Sequence, residues 1–494
     1  MADQEPQLHL VNPGEPDEEP AQQAPQPLNN QLDAHMSKQY ALAVRDRLQL
    51  VSESQRWIGY DPKQGLWVMT KAKSPIVNDA TEWGDWLVEA TDADPDLTQA
   101  EREIRIDFAN KLRKRAWLTK MLYYLTERSD IVLRTEALDS HPHLLHCANG
   151  VLNLETMKFR ESFESKELLT LSTHTRYDPK AKSELWTNYL KSAVPCAKTR
   201  AYLARVAGYT LLGAPTQETF VHLHGPPGTG KSTFVFALQQ AFGDHATTAG
   251  KYCFLQDPRG GGGARSDRLV LRGKRLVVTP EVPQRSKFDD EFLNMFTSAE
   301  PYSVRGEYDA RPTIIKPMGV LFIVSNYRPS VTSDALWRRL HEVSFDEVVD
   351  DEHRIDGLRQ KLAEPEHREA ILAWAIRGLR DYRRRGALEP TAAMLRAAKE
   401  YEEEENPLSA WLEAKCDEDL SDKTEFRLLY ASYQRFVKYD EFSKPMPSKT
   451  FGKRLSMYKR GKSNSKVFVR GLVLKPQERA MLEAPSRLEY RKKE

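Results

Sequence analysis

The chain has 494 residues, which is material for roughly three domains. Apolar residues make up 40% and charged ones 29%, which excludes collagen-like, wholly disordered and small disulfide-stapled classes. The formal net charge of +2 is a cancellation rather than neutrality. Residues 1–40 hold seven acidic groups against one Lys, and residues 441–494 hold 15 Lys and Arg against five Glu. Cys147, Cys196, Cys253 and Cys416 are scattered with no C-x-x-C pair, so a disulfide framework or zinc knuckle is not expected. The N-terminus lacks the basic start and apolar stretch of a secretory signal, and no 18-residue apolar run exists to span a bilayer. A cytoplasmic location is expected, with no membrane partner.

Residues 1–40 also carry six Pro and seven Gln, a composition that cannot offset its ordering entropy. A disordered acidic tail is predicted there. From 41 to 180 the pattern predicts a mixed α/β domain. Trp57 to Met69 reads as two short strands around an Asp61-Pro62…Gly65 turn. Glu101 to Thr126 carries helical periodicity, with Ile104, Phe108, Leu112, Trp117 and Leu122 facing inward. Asn149-Gly150 between apolar stretches signals a tight turn. The histidines at 141, 143 and 146 have no carboxylate or Cys to complete a metal set and read as a structural loop.

Residues 181–390 carry the chemistry. Gly225-Pro226-Pro227-Gly228-Thr229-Gly230-Lys231-Ser232-Thr233 contains a full G-x-x-x-x-G-K-[ST] motif. It lies between an apolar strand (Thr219 to Leu223) and a helical pattern (Thr233 to Phe242). That context lets backbone amides and the helix start converge on phosphates. Lys231 is placed to reach the β- and γ-phosphates, and the Ser232 hydroxyl to ligate Mg2+. A second apolar strand ends in Glu281, suited to polarise an attacking water or to hold Mg2+ through water. A third, Val320 to Ser325, ends in Asn326, whose amide can bond the γ-phosphate and the water. Arg338 and Arg339 follow, and one of them is suited to project into a neighbouring subunit's site as an arginine finger.

Between the second and third strands, Ser303 to Pro317 reads as two short β stretches around a turn. Its Arg305, Arg311 and Lys316 are candidates to neutralise phosphates, and Tyr308 to stack on a base. Residues 391–407, with the Glu402–Glu405 run and Pro407, read as a linker. From 408 to 494 an aromatic-rich helix (Phe426, Leu429, Tyr430, Tyr433, Phe436) precedes a second helix, a basic turn and a strand pair. That order is the pattern of a winged helix. Lys449, Lys453, Arg454, Lys459 and Arg460, with Lys462 and Lys466, cluster as a recognition helix and wing on DNA would.

This succession of loop, single-Glu strand, Asn-tipped strand and Arg pair resembles superfamily 3 AAA+ helicases. The match is closer to the phage/plasmid primase–helicase branch, which also includes the poxvirus primase-helicase. Asn149-Gly150-Val151-Leu152, Tyr177-Asp178-Pro179 before Trp186, Gly208-Tyr209-Thr210-Leu211 and Gly273-Lys274-Arg275-Leu276 share its pattern, over residues 55–490. The resemblance implies an α/β AAA+ P-loop motor, a mixed α/β collar-like domain before it and a winged-helix-like domain after it. It also implies a ring, usually hexameric, driven by ATP and Mg2+. Such a ring moves 3′→5′ on single-stranded or forked DNA during replication of a phage, plasmid or related element, within the host cytoplasm. The residues around 303–317 then correspond to a hairpin that grips DNA in the channel. Two departures stand out. The first 40 residues are too few for a primase catalytic domain, so a separate primase is the expected partner. The loop is also not of the family's common Gly-Asn-Gly-Lys form. Two other readings stay open: an AAA+ initiator that binds and melts an origin, and another AAA+ motor that packages DNA or remodels protein.

Overall fold

The computed structural model describes residues 32–69, 74–114, 116–118, 121, 125, 131–256, 265–283, 286–305, 312–331, 333–349, 355–404, 407–439, 445–463 and 466–483. The first layer runs α1 (Leu32–Val44), β1 (Leu48–Val51), β2 (Arg56–Asp61), β3 (Leu66–Met69), α2 (Ser74–Ala93), α3 (Gln99–Leu112) and β4 (Val132–Leu133). Its sheet has the order β3-β2-β1-β4, antiparallel except for the β1–β4 pair. The expected turn between β2 and β3 is present: the Asp61 carboxylate accepts from the Lys63 and Gln64 amides, and Gly65 takes φ +70°. Helix α3 opens on a Thr98–Glu101 capping box, which satisfies two free amides reciprocally. Phe108 and Leu112 are fully buried with Tyr40 and Trp83, while Leu122 lies outside the described residues. The expected tail of residues 1–40 is therefore too long. Residues 32–40 are helical because Tyr40, Ala41 and Val44 supply an apolar face that packs on Trp83. Residues 1–31 lie outside the described residues.

A small antiparallel sheet follows, β5 (Leu144–Cys147), β6 (Gly150–Asn153) and β7 (Phe159–Arg160). Cys147 pairs with Gly150 across the predicted Asn149-Gly150 turn. His146 is buried beneath it, 2.8 Å from the Ser172 hydroxyl and 2.7 Å from the Gln64 carbonyl, which is a structural role.

The largest unit comprises α4 (Glu184–Ala193), α5 (Ala197–Thr210), β8 (Phe220–His224), α6 (Lys231–Phe242), β9 (Ala246–Thr248), β10 (Leu276–Pro280), α7 (Asp290–Thr297), β11 (Tyr302–Val304), β12 (Thr313–Ile315), β13 (Val320–Ser325), α8 (Asp334–Trp337), β14 (Leu340–Ser344), α9 (Leu358–Leu362) and α10 (Pro365–Arg385). Five strands form one parallel sheet in the order β14-β8-β13-β10-β9. Continuous apolar runs such as Val320 to Val324 suit strands covered on both faces. Val221, Leu223, Val278 and Phe322 face α6, α5 and α10. Phe220, Val277, Leu321 and Leu340 face Phe254, Phe292 and Phe296. Helices α5 and α10 cross in backbone contact at Gly208 and Gly378, where a Cβ would overlap the Ala375 and Ala204 carbonyls. Arg275, at the start of β10, is buried and donates to the Leu211 and Leu144 carbonyls, tying the small sheet to the large one.

The expected linker over 391–407 is instead α11 (Ala392–Glu404). Met394 and Tyr401 are buried on its inner side, which packs it against the sheet at β14, while Glu402 is exposed. Beyond it come α12 (Pro407–Lys415), β15 (Cys416–Glu425), α13 (Phe426–Tyr439), α14 (Ser448–Arg454), β16 (Arg460–Ser463), β17 (Lys466–Leu474) and α15 (Pro476–Glu483). The antiparallel sheet β15-β17-β16 and helix α13 enclose Trp411, Tyr433 and Phe451. No helix among the described residues is long and apolar enough to cross a membrane.

Candidate functional site

Strand β8 ends at His224, and the chain turns through Gly225 to Gly230 into α6. Three glycines make the turn with positive φ: Gly225 at 146°, Gly228 at 83° and Gly230 at 92°. The left-handed values at Gly228 and Gly230 are ones that only glycine adopts cheaply. At Gly225 a Cβ would also overlap the Phe345 carbonyl. The Lys231 ammonium lies inside the loop, donating to the Gly225 carbonyl at 2.6 Å, the Pro226 carbonyl at 2.7 Å and Thr229 Oγ1 at 3.2 Å. Burial lowers its pKa, an effect that the Asp346 carboxylate opposes. The Tyr189 hydroxyl donates to the Gly230 carbonyl at 2.8 Å, so α4 braces the loop from outside. Pro226, Pro227, Gly228 and Ser232 are exposed, and Thr233 is half-buried.

The sheet order brings the next two candidates beside this loop. Strand β13 lies between β8 and β10, with Ser325 opposite His224 and Val324 opposite Pro280. The Glu281 amide donates to the Val324 carbonyl at 2.9 Å, so Glu281, Asn326 and the glycine loop share one edge of the sheet. Both side chains are exposed there. Glu281 takes φ +49°, a left-handed conformation that costs about 1 kcal/mol or more for a residue with a Cβ. The Ser325 hydroxyl holds the turn behind Asn326. It accepts from the Tyr327 amide at 2.9 Å and lies 2.6 Å from the Tyr327 carbonyl and 3.3 Å from the Val282 carbonyl.

The arginine pair is at the other edge. Strand β14 begins opposite Phe220 and ends opposite His224, so the pair precedes a strand that must run five residues to reach the loop. At about 3.3 Å per residue that is roughly 16 Å. Arg339 is engaged within its own chain: it donates to the Asn294 carbonyl and Thr297 Oγ1, each at 2.9 Å, and pairs with Glu218. Arg338 is exposed and makes no hydrogen bond or ion pair among the described residues. The two arginines, Glu218 and Ala335 line an open cavity of about 330 Å³.

A second cavity of about 270 Å³ opens beside the glycine loop, between Val194–Cys196, Asp346 and Met394. Its lining adjoins residues that contact the loop and the end of β8. Ala193 lies against Gly230, and the Phe345 amide donates to the His224 carbonyl at 2.8 Å. Tyr189, Asp346 and Met394 carried no motif that sequence reading could find, because three distant segments supply them.

The nucleic-acid candidates are dispersed. Strands β11 and β12 form the expected antiparallel hairpin, with Tyr302 opposite Ile315. Arg305 and Lys316 sit exposed at its two flanks, and Tyr308 and Arg311 lie outside the described residues. Lys449 and Lys453 stand exposed on α14, and Lys459 on the turn before β16. Arg454 pairs with Asp334 at 2.8 Å, and Arg460 lies over the Phe426 ring at 5.0 Å.

Residues 34–195 match the family described as D5 N terminal like. The match takes in α1, which the composition assigned to the tail, and α4, and it stops ahead of the glycine loop. No curated protein matches the sequence. Among solved structures, the apo NrS-1 C terminal region (305-718) is similar at a TM-score of 0.49 and 12% identity, over 89% of this chain and 99% of that chain. An A form of the same apo region gives 0.45 and 12% identity, over 88% of this chain and 98% of that one.

Proposed function

We propose that this chain is the AAA+ motor subunit of a ring-forming, ATP-dependent DNA helicase of superfamily 3, serving replication of a phage, plasmid or related element. One observation carries the reading. Lys231, Glu281 and Asn326 share one edge of the parallel sheet, while the exposed Arg338 stands at the other, so each chain holds two halves of different sites. Closing such sites head to tail generates a ring.

In that arrangement the loop amides and the α6 start cradle the phosphates of ATP, and Lys231 exchanges its carbonyl partners for phosphate oxygens. The cavity beside Val194, Asp346 and Met394 takes the nucleoside. Glu281 orients the attacking water, and Asn326 bonds the γ-phosphate. Arg338 of the adjacent subunit steadies the charge that develops in transfer. The Ser232 hydroxyl and Glu281 carboxylate are exposed oxygen donors of the type Mg2+ takes, and the ion bound there would neutralise phosphate charge. Arg305 and Lys316 on the hairpin flanks contact the DNA backbone, and the helix–strand–helix–helix–hairpin order after α11 is that of a winged helix. The family resemblance adds a hexamer, 3′→5′ movement and a separate primase.

A DNA-dependent ATPase assay with forked-duplex unwinding tests the reading. Lys231→Ala is expected to abolish both, and Arg338→Ala subunits mixed with Lys231→Ala subunits are expected to recover turnover, because their intact halves meet in one interface. Hydrolysis that survives Lys231→Ala overturns the site. An origin-melting initiator is the second reading, favoured by exposed Lys449, Lys453 and Lys459 on one helix and turn. A sequence-specific footprint on duplex DNA without strand displacement would select it.

A further inference from the structure

Behind the candidate nucleotide site lies a buried charge cluster that none of the roles above uses. Glu342 of β14 and His222 of β8 are neighbours in register, and both are fully buried. The His222 Nδ1 lies 3.5 Å from Glu342 Oε2, and the His224 Nδ1 lies 4.0 Å from Oε1. The other partner comes from outside the sheet. Arg328 reaches from the turn beyond β13, across the end of β8, and places Nη2 at 2.6 Å and Nε at 3.2 Å from Glu342 Oε1. Its guanidinium lies 5.1 Å from the centre of the Tyr401 ring, and the Tyr401 hydroxyl donates to the Pro329 carbonyl. Strands β8 and β14 and the turn after β13 thus meet at one carboxylate, and helix α11 joins them through Tyr401 on Arg328.

Two features separate this from an ordinary core contact. A buried ion pair gains little net stability over an apolar pair of the same volume, because the desolvation cost offsets the attraction. Packing the core therefore does not call for one here. The arginine also belongs to no core element: it stands two residues after Asn326, in the turn that carries that side chain. The Ser325 hydroxyl fixes the other end of the same turn, against the Val282 carbonyl and one residue beyond Glu281. Asn326 is thus held between two anchors. One anchor is tied to the Glu281 strand, the other to Glu342 across the glycine-loop strand.

We infer that Arg328 and Glu342 are positioning residues of the nucleotide site: the pair, buried at its carboxylate, sets Asn326 against the glycine loop and fastens its turn to helix α11. The inference rests on the ATP-hydrolysis reading above. Neither residue touches nucleotide; both act through Asn326. Because α11 leads directly into α12 and the C-terminal unit, the same anchor passes a shift of the Asn326 turn to Tyr401 and onward. Misplacing a group by about 1 Å through a residue remote from the chemistry can cost about 100-fold in rate.

The test uses the full chain with single-stranded DNA, reading kcat, KM, affinity for a fluorescent ATP analogue and thermal midpoint. Removing one partner alone would strand a buried charge, so the informative variants are Arg328→Met with Glu342→Leu together, and Arg328→Lys alone. The double variant is expected to keep its melting midpoint and to bind the analogue within about threefold of wild type, while kcat falls about 10-fold or more. Arg328→Lys keeps a charge facing Glu342 but loses the two-pronged geometry. Its kcat is expected to lie between the two, with KM unchanged. A double variant that matches wild-type kcat overturns the inference, and if the double variant does not fold, wild-type kcat in Arg328→Lys does so. Lys231→Ala runs in parallel. A wild-type chain without Lys231-dependent turnover overturns the hydrolysis reading and this inference with it, whereas such turnover unchanged in both variants overturns the inference alone.

Discussion

Arg338 and Arg339 are adjacent in sequence and differ in their surroundings. Arg339 is held by Asn294, Thr297 and Glu218, while Arg338 projects from the same turn into solvent. Arg339→Ala is expected to cost about 2 kcal/mol in a urea titration, because it strips hydrogen bonds from the buried Thr297 hydroxyl and the carbonyl of half-buried Asn294. Arg338→Ala is expected to leave the urea midpoint unchanged and to lower ATP turnover about 1000-fold, the effect of losing a finger. A matching pair of stability losses would remove the distinction. Glu281 offers a second test at this scale. Its φ of +49° stores strain, and Glu281→Asn, which tolerates that conformation, is expected to hold or raise the thermal midpoint while abolishing turnover. The motif residues were legible because each stands next to its own strand or helix. The Arg338–Arg339 division was not, since Asn294, Thr297 and Glu218 come from elsewhere in the chain.

Among the elements, the strands with unbroken apolar runs and the helix after the glycine loop were legible from local pattern. Two elements were not. Helix α11 looked like a linker because Glu402 to Glu405 and Pro407 dominate its end, yet Met394 and Tyr401 bury one side of it. Strand β15 is almost wholly exposed and rich in Asp and Glu, so nothing in its composition announces a strand. Its pairing with β17 supplies the order, from Cys416 opposite Leu474 to Glu425 opposite Phe468. The glycines at the α5–α10 crossing lead to a further prediction. Gly378→Ala would drive a methyl into the Ala204 carbonyl, and Gly208→Ala would do the same at Ala375. Each is expected to cost about 3 kcal/mol in a urea titration, beyond the modest propensity gain of alanine in a helix.

Across the whole molecule, buried histidines set the acid limit. Burial pushes His146 and His341 down to about 4 from an ordinary value of 6.5. Both are neutral in the fold and titrate near 6.5 once unfolded, so protons bind the unfolded chain more strongly. Stability is therefore expected to fall as pH drops from about 6.5 toward 4, and His341→Gln to flatten that fall. His174 has the opposite sign. Its hydrogen bond to Asp244 raises its pKa, so that contribution is complete below 6.5 and fades as pH rises through the raised value. The pair is half-exposed and contributes about 0.5 kcal/mol, which His174→Gln would remove from the slope above neutrality. Thermal midpoints taken from pH 4.5 to 8 check both signs.

The amino-acid sequence by itself determined the glycine loop between strand and helix, the two further strands ending in Glu281 and Asn326, and the split of charge between an acidic start and a basic end. Those features depend on neighbours within a few residues. The tertiary structure alone decided which strand lies next to which, and so placed Glu281 and Asn326 beside the loop and Arg338 at the far edge. It also brought Arg328 across β8 to Glu342. Strand order and buried charge pairing are settled by packing between distant segments, which leaves no local trace in composition or period.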